Sequence, residues 1–177
     1  MHILVAVLTN EKINKIDQEE YERLLKSESE TVDIITVRDA DVHEYDRRWK
    51  ENKQARNNLF KQMIDIVDDK VKEKYYHNED GVKGEDYFNY DTFRICGSWT
   101  DALDHFGYKP IKDFEDLEII TNNFAGYVDL DNTFHDLECI HITEMLREEY
   151  QNRSIEKFKK YLEENPDMYI LPVDFKI

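Results

Sequence analysis

HILVAVLT, residues 2–9, is a short apolar run of strand length, too brief for a packed helix and far too brief for a membrane span. It reads as a buried first strand. At the far end MYILPVDFKI, residues 168–177, closes the chain as another strand. Before it SIEKFKKYLEE, 154–164, sets Ile155, Phe158 and Leu162 on one helix face, and Asn165-Pro166-Asp167 stops that helix. The chain therefore ends in a helix-strand unit.

Working inward, DQEEYERLLKS reads as a short helix opened by Asp17 as N-cap, and TVDIITV, 31–37, alternates as a strand does. Between Asp46 and Tyr75, Leu59, Phe60, Met63, Ile64, Val67 and Val71 recur at spacings of three and four, which predicts a long amphipathic helix, whole or broken in two. HNEDGVKGED, 77–86, reads as a loop. LEII, FAGYVDL and TFHDLECIHI come next as three short strands, separated by turns at Thr121-Asn122-Asn123 and Asp131-Asn132. The expected fold class is α+β. It is expected to be one domain over residues 1–177, with a mostly antiparallel sheet, the long amphipathic helix and the C-terminal helix-strand unit. No repeat or linker divides the sequence.

Of 177 residues 40% are hydrophobic and 36% charged, which suits a packed core under a heavily charged surface. The net charge of -16 disfavours direct binding to nucleic acid or to an anionic membrane, since each phosphate would meet repulsion. Charge is uneven along the chain. Residues 113–138 hold eight acids and no Lys or Arg, whereas Arg47, Arg48, Lys50, Lys53, Arg56 and Lys61 crowd a short stretch against Asp46 and Glu51. Two cysteines, Cys96 and Cys139, make no disulfide framework, and the first residues lack a basic leader and a small-residue cleavage site; a cytoplasmic protein is expected.

The stretch YDTFRICGSWTDALDHF, 90–106, concentrates aromatics around a Cys-Gly pair in a chain with only five glycines and two tryptophans. Phe93 and Ile95 alternate with Arg94 as in a half-buried strand, and Gly97 offers a positive φ or close packing where the chain turns. Ser98 precedes Asp101 by three residues, a capping-box spacing that would start a helix through Ala102, Leu103 and Phe106. The plain expectation is a strand-turn-helix joint pinned by a buried Trp99.

Tyr90-Asp91-Thr92-Phe93-Arg94-Ile95-Cys96-Gly97-Ser98-Trp99 resembles the aromatic-Asp-Trp-Tyr-x-Ile-Gly-Gly-Arg-Trp signature of an uncharacterised bacteriophage protein family. Members of that family begin with a short hydrophobic strand and finish on Val-Asp-Cys-His-Ile, which Val173-Asp174-Phe175-Lys176-Ile177 resembles. The likeness spans most of the chain. Ser98 stands for the Arg of the signature, Cys96 for its first Gly, Thr92 for its Trp and Lys176 for the His. The resemblance implies a phage-encoded accessory protein acting in an infected bacterial host. It marks Asp91, Arg94, Gly97, Trp99 and Asp174 as binding residues.

No P-loop, GxGxxG, HExxH or G-x-S-x-G motif is present, and no catalytic residue is assigned. His135, Cys139 and His141 would share a strand face but lack a fourth ligand, so no metal or other cofactor is assigned. Cys96 with His105 lacks a third group and reads better as a small buried Cys. Asp129-Leu130-Asp131 reads as a hairpin turn before Asn132.

The acids Asp116 and Glu118, Asp129 and Asp131, and Asp136 and Glu138 pair at i,i+2, which on a strand sets two carboxylates about 6.6 Å apart on one face. Such a face could imitate a nucleic-acid backbone, or simply be solvated. The functional expectation is a protein that binds and inhibits or redirects a bacterial host or defence protein, with that acidic face or with aromatics such as Trp49, Tyr75, Tyr76 and Tyr90 as its means. The alternatives are a small-anion or nucleotide-signal binder using Arg47, Arg48, Lys50, Lys53 and Arg56, and a cryptic hydrolase.

Overall fold

The computed structural model describes residues 1–36, 42–71, 75–77, 83–84, 90–99, 101–138 and 143–177. The fold is α+β, and the chain divides into two compact units: unit 1 is Met1–Ile13 with Asp65–Ile177, and unit 2 is Asn14–Ile64. Among the described residues, no helix is long and apolar enough to cross a membrane.

Unit 2 is helical. Helix α1 (Gln18–Thr36) begins as its sequence requires: Asp17 Oδ1 accepts the Glu20 N–H at 3.0 Å, satisfying an otherwise orphan donor. Residues 31–36 of TVDIITV are not a strand, because α1 continues to Thr36; Val37 lies outside the described residues. Thr31 carries the reason. Its hydroxyl donates to the Ser27 carbonyl one turn back (2.8 Å) and accepts from Asn52 of helix α2 (Val42–Leu59) at 2.9 Å, so tertiary bonding overrides β-branched propensity. The long apolar pattern after Asp46 is two helices. They are α2 and α3 (Lys61–Lys70), with the break at Phe60, where i→i−4 bonding still runs through Phe60 N–H to Arg56 and Ile64 N–H to Phe60. Phe60 is buried and meets the Tyr21 ring edge-on at 5.5 Å.

Unit 1 is built on a sheet. Strands β1 (His2–Thr9), β2 (Tyr75–His77), β3 (Lys83–Gly84), β4 (Thr92–Ile95), β5 (Gly126–Val128), β6 (Thr133–Asp136) and β7 (Tyr169–Lys176) lie in the order β3-β2-β6-β5-β1-β7-β4. Most pairings are antiparallel; β1 with β5 and β2 with β6 are parallel. β1 has neighbours on both sides, and Ile3 to Thr9 are all buried, which is why its sequence is apolar without alternation. Helix α5 (Glu144–Glu164) buries Phe158 and Leu162, and Tyr127 of β5 stacks on Phe158 at 4.1 Å. The helix-strand unit at the end is α5 followed by β7.

LEII is not a strand. Asp116 Oδ1 accepts the Glu118 N–H at 2.8 Å and turns the chain into a one-turn helix, α4 (Glu118–Thr121), which buries Ile120 and leaves Ile119 53% exposed. FAGYVDL and the start of TFHDLECIHI form the hairpin β5–β6, with Asn132 at its turn at φ 66°. Cys139 and His141 fall outside the described residues, as do most of HNEDGVKGED and the side chains of Tyr75 and Tyr76.

Candidate functional site

The residues of the 90–99 signature and of the final strand meet at the β4 end of the sheet. Register places Arg94 opposite Asp174, and Thr92 opposite Lys176. Asp91 lies beside Lys176, with a carboxylate-ammonium separation of 3.8 Å and its N–H bonded to the Lys176 carbonyl at 2.8 Å. Asp174 is only 3% exposed, and its Oδ1 lies 2.9 Å from Nδ1 of His2. His2 comes from the third strand of the group, β1, where Leu4 is opposite Asp174. A buried carboxylate thus holds an exposed imidazole. That pairing can fix a ring and its tautomer; among the described residues His2 has no second hydrogen-bond partner.

Pro172 explains where β4 stops. Cys96 N–H donates to the Pro172 carbonyl at 3.0 Å, so at this position the two strands face each other as a hydrogen-bonding pair. Proline has no N–H to return. The Cys96 carbonyl accepts the Trp99 N–H at 2.9 Å. The turn is tight: Cys96 has φ 59° and Gly97 φ 51°, with Gly97 N–H reaching back to the Ile95 carbonyl at 2.7 Å. A Cβ on Gly97 would overlap the Asp174 carboxylate. Glycine is required here both for its conformation and for the missing side chain.

Two expectations for this stretch need correction. Trp99 does not pin the joint from inside, since it is 39% exposed. Ser98 opens no side-chain-capped helix; after Ala102 the chain makes a short π-turn, Leu103–Gly107, whose N-terminus has no side-chain cap and whose Leu103 and Phe106 are buried. Cys96 is buried and His105 exposed beside the edge of Phe106, an arrangement that suits a packed Cys.

The acidic pairs have a different origin from strand alternation. In each of them the first aspartate accepts the backbone N–H of the second acid: Asp116 from Glu118 (2.8 Å), Asp129 from Asp131 (2.9 Å), Asp136 from Glu138 (2.8 Å). These are local side-chain turns, and the i,i+2 spacing is their signature. Asp129 is the most elaborate. Its Oδ1 also accepts the Thr133 N–H at 2.9 Å, its Oδ2 lies 2.7 Å from His135 Nε2, and the His135 ring stacks on Tyr127 at 4.4 Å. Burial works against the charge of Asp129, but the bonds from His135, Thr133 and Asp131 outweigh it and hold the carboxyl below its usual value. Tyr161 Oη accepts the Leu130 N–H (3.0 Å) and Lys70 donates to the Leu130 carbonyl (3.0 Å), so the tip of the hairpin is tied through both backbone groups of Leu130. Burial lowers the Lys70 ammonium and raises both tyrosine hydroxyls, Tyr127 and Tyr161. His2, Lys70 and Tyr161 carried no local sequence signal; their partners are 60 or more residues away, or 31 in the case of Tyr161.

Other candidates are quieter. Arg47 and Arg48 are engaged with Glu44 and Glu51, and Arg56 with Glu28, which leaves Lys50 and Lys53 of the basic cluster; Lys53 sits 5.2 Å over the exposed Trp49 ring. Tyr90 packs against Phe175 and Phe93. Among the described residues no group of three or more His, Cys, Asp and Glu is arranged to hold a metal ion. Comparison with protein-family models, curated proteins and solved structures gives no match.

Proposed function

We propose that this is a binding protein whose unit 1 presents carboxylates to a basic surface of a protein partner. In the setting that the sequence resemblance implies, the partner is a bacterial host or defence protein that is inhibited or redirected. One observation carries the reading: Asp101, Asp104, Asp113, Glu115, Asp116, Asp131 and Glu138 are all exposed and have no cation within ion-pair distance among the described residues. Unit 2, in contrast, has ten Lys and Arg against twelve Asp and Glu, so unit 1 holds -14 of the net -16. Charge left uncompensated on one unit raises association rates with a basic partner. The carboxylates are displayed singly from turns, so any imitation of a nucleic acid rests on summed charge and not on a strand-spaced ladder.

The test is capture of partners from bacterial lysate by the tagged protein at low and moderate salt, read by native mass spectrometry. Asp113→Lys, Glu115→Lys and Asp131→Lys together should abolish the protein adduct while leaving the unfolding temperature within a few degrees, about what surface substitutions allow. An adduct that persists after reversal, or a retained mass of a few hundred daltons in its place, would overturn the reading.

A further inference from the structure

Trp99 is exposed, and among the described residues its ring has no aromatic or cationic neighbour and its indole N–H no acceptor. Trp49, the other tryptophan, is also exposed, with the Lys53 ammonium 5.2 Å from its ring centroid. The backbone that carries Trp99 is held at a cost. Pro172 ends the β4 ladder, Cys96 and Gly97 both take positive φ, and the Trp99 N–H is fastened to the Cys96 carbonyl. Further along, the π-turn Leu103–Gly107 seats Leu103 and Phe106 in the core. Asp101 and Asp104, within the next turn and a half, are exposed and unpaired among the described residues. Residues 99–104 thus expose an indole and two carboxylates, groups that together complement a guanidinium, which stacks on the ring and donates to the acids.

We propose that Trp99, Asp101 and Asp104 form a docking surface for an arginine-bearing segment of the protein partner, with Trp99 as its anchor. This rests on the basic-partner reading and adds where and how that partner is gripped.

A fluorescein-labelled nona-arginine peptide followed by anisotropy is the probe, with the Trp49→Phe protein used so that indole emission reports Trp99 alone. Binding should quench or shift that emission with the same midpoint as the anisotropy, and Trp99→Ala should weaken it about tenfold. Asp101→Lys with Asp104→Lys should weaken it more than Glu156→Lys with Glu163→Lys, an equal change of charge at exposed positions of α5. That comparison keeps the native Trp99 and decides the matter even if Trp99→Ala fails to fold. Equal weakening by the two pairs, or unchanged binding by a folded Trp99→Ala, would overturn the anchor while leaving the basic-partner reading standing. No binding by any of the proteins would remove both.

Discussion

The Asp174 carboxylate fills the space that Gly97 leaves by having no side chain. Asp174 belongs to the last strand and Gly97 to the turn after β4, and the two are brought together by the Arg94–Asp174 register. The buried charge is then held from the opposite end of the chain by His2. Each member constrains the next: the turn needs glycine, the carboxylate needs the glycine's empty volume, and burial of the carboxylate needs the imidazole.

Gly97→Ala should destabilise by about 3 kcal/mol, adding left-handed strain to the overlap with Asp174. Urea unfolding of Gly97→Ala, Asp174→Ala and the double variant separates the two contributions. The double variant should be more stable than the sum of the single losses implies, by about 1 kcal/mol or more, because one cause of strain is gone. Strict additivity would show that the carboxylate and the turn do not compete for space.

The Asp129 clamp makes a pH-dependent contribution whose sign is fixed by the direction of its shift. The folded carboxyl titrates below its ordinary value, so the stabilisation is complete above the unfolded value of about 3.9 and is lost as pH falls through the lower folded value. Asp129→Asn should cost about 2 kcal/mol at pH 6, since the carboxylate accepts two backbone N–H groups and His135. The gap from the native protein should narrow at pH 3. A gap that stays constant over that range would mean that the clamp's bonds do not depend on the charge of the carboxylate.

Much of this architecture is legible because it is local. The apolar run of β1, the Asp17 cap, the face of α5 and the Asp131-Asn132 turn each depend on residues within one or two turns of one another. Other segments mislead where a distant partner or a single side-chain bond decides the outcome. TVDIITV has strand composition, yet Thr31 is bonded to Asn52. Asp116-Leu117-Glu118-Ile119 alternates, yet Asp116 accepts the Glu118 N–H where the chain enters a helical turn that hides Ile120 and exposes Ile119. Trp99 reads as an interior residue because tryptophan usually is one, yet it is 39% exposed, after a turn whose Cys96 N–H is bonded to the carbonyl of Pro172 far along the chain. The His2–Asp174 pair does leave a trace. An aspartate within PVDF, in a mostly apolar final strand, has to find a hydrogen-bond donor.

Tyr161→Phe removes the acceptor of the Leu130 N–H while keeping the ring that lies 6.0 Å from Tyr127. The loss should be about 1 kcal/mol, and native-state hydrogen exchange of the Leu130 amide should accelerate by about tenfold, since a single bond at a hairpin tip opens locally. Amides of β1 should keep their protection. Faster exchange throughout the sheet would place Tyr161 in the global core and not in the turn.

The free carboxylates of unit 1 should lower stability, because a face of like charges repels itself. Raising ionic strength from about 0.01 M to about 0.15 M shortens the screening length from roughly 30 Å to 8 Å and should raise the unfolding temperature. Asp113→Asn, Glu115→Gln and Glu138→Gln should each stabilise by about 0.3 kcal/mol at low salt, with the gain fading at the higher one. The same three changes should weaken partner capture, so stability and binding would move in opposite directions at the same side chains. A native protein that loses stability on adding salt would instead show that its ion pairs, such as Arg56–Glu28 and Lys112–Asp167, outweigh the repulsion among its unpaired acids. The acidic surface would then have no stability cost for a binding role to offset.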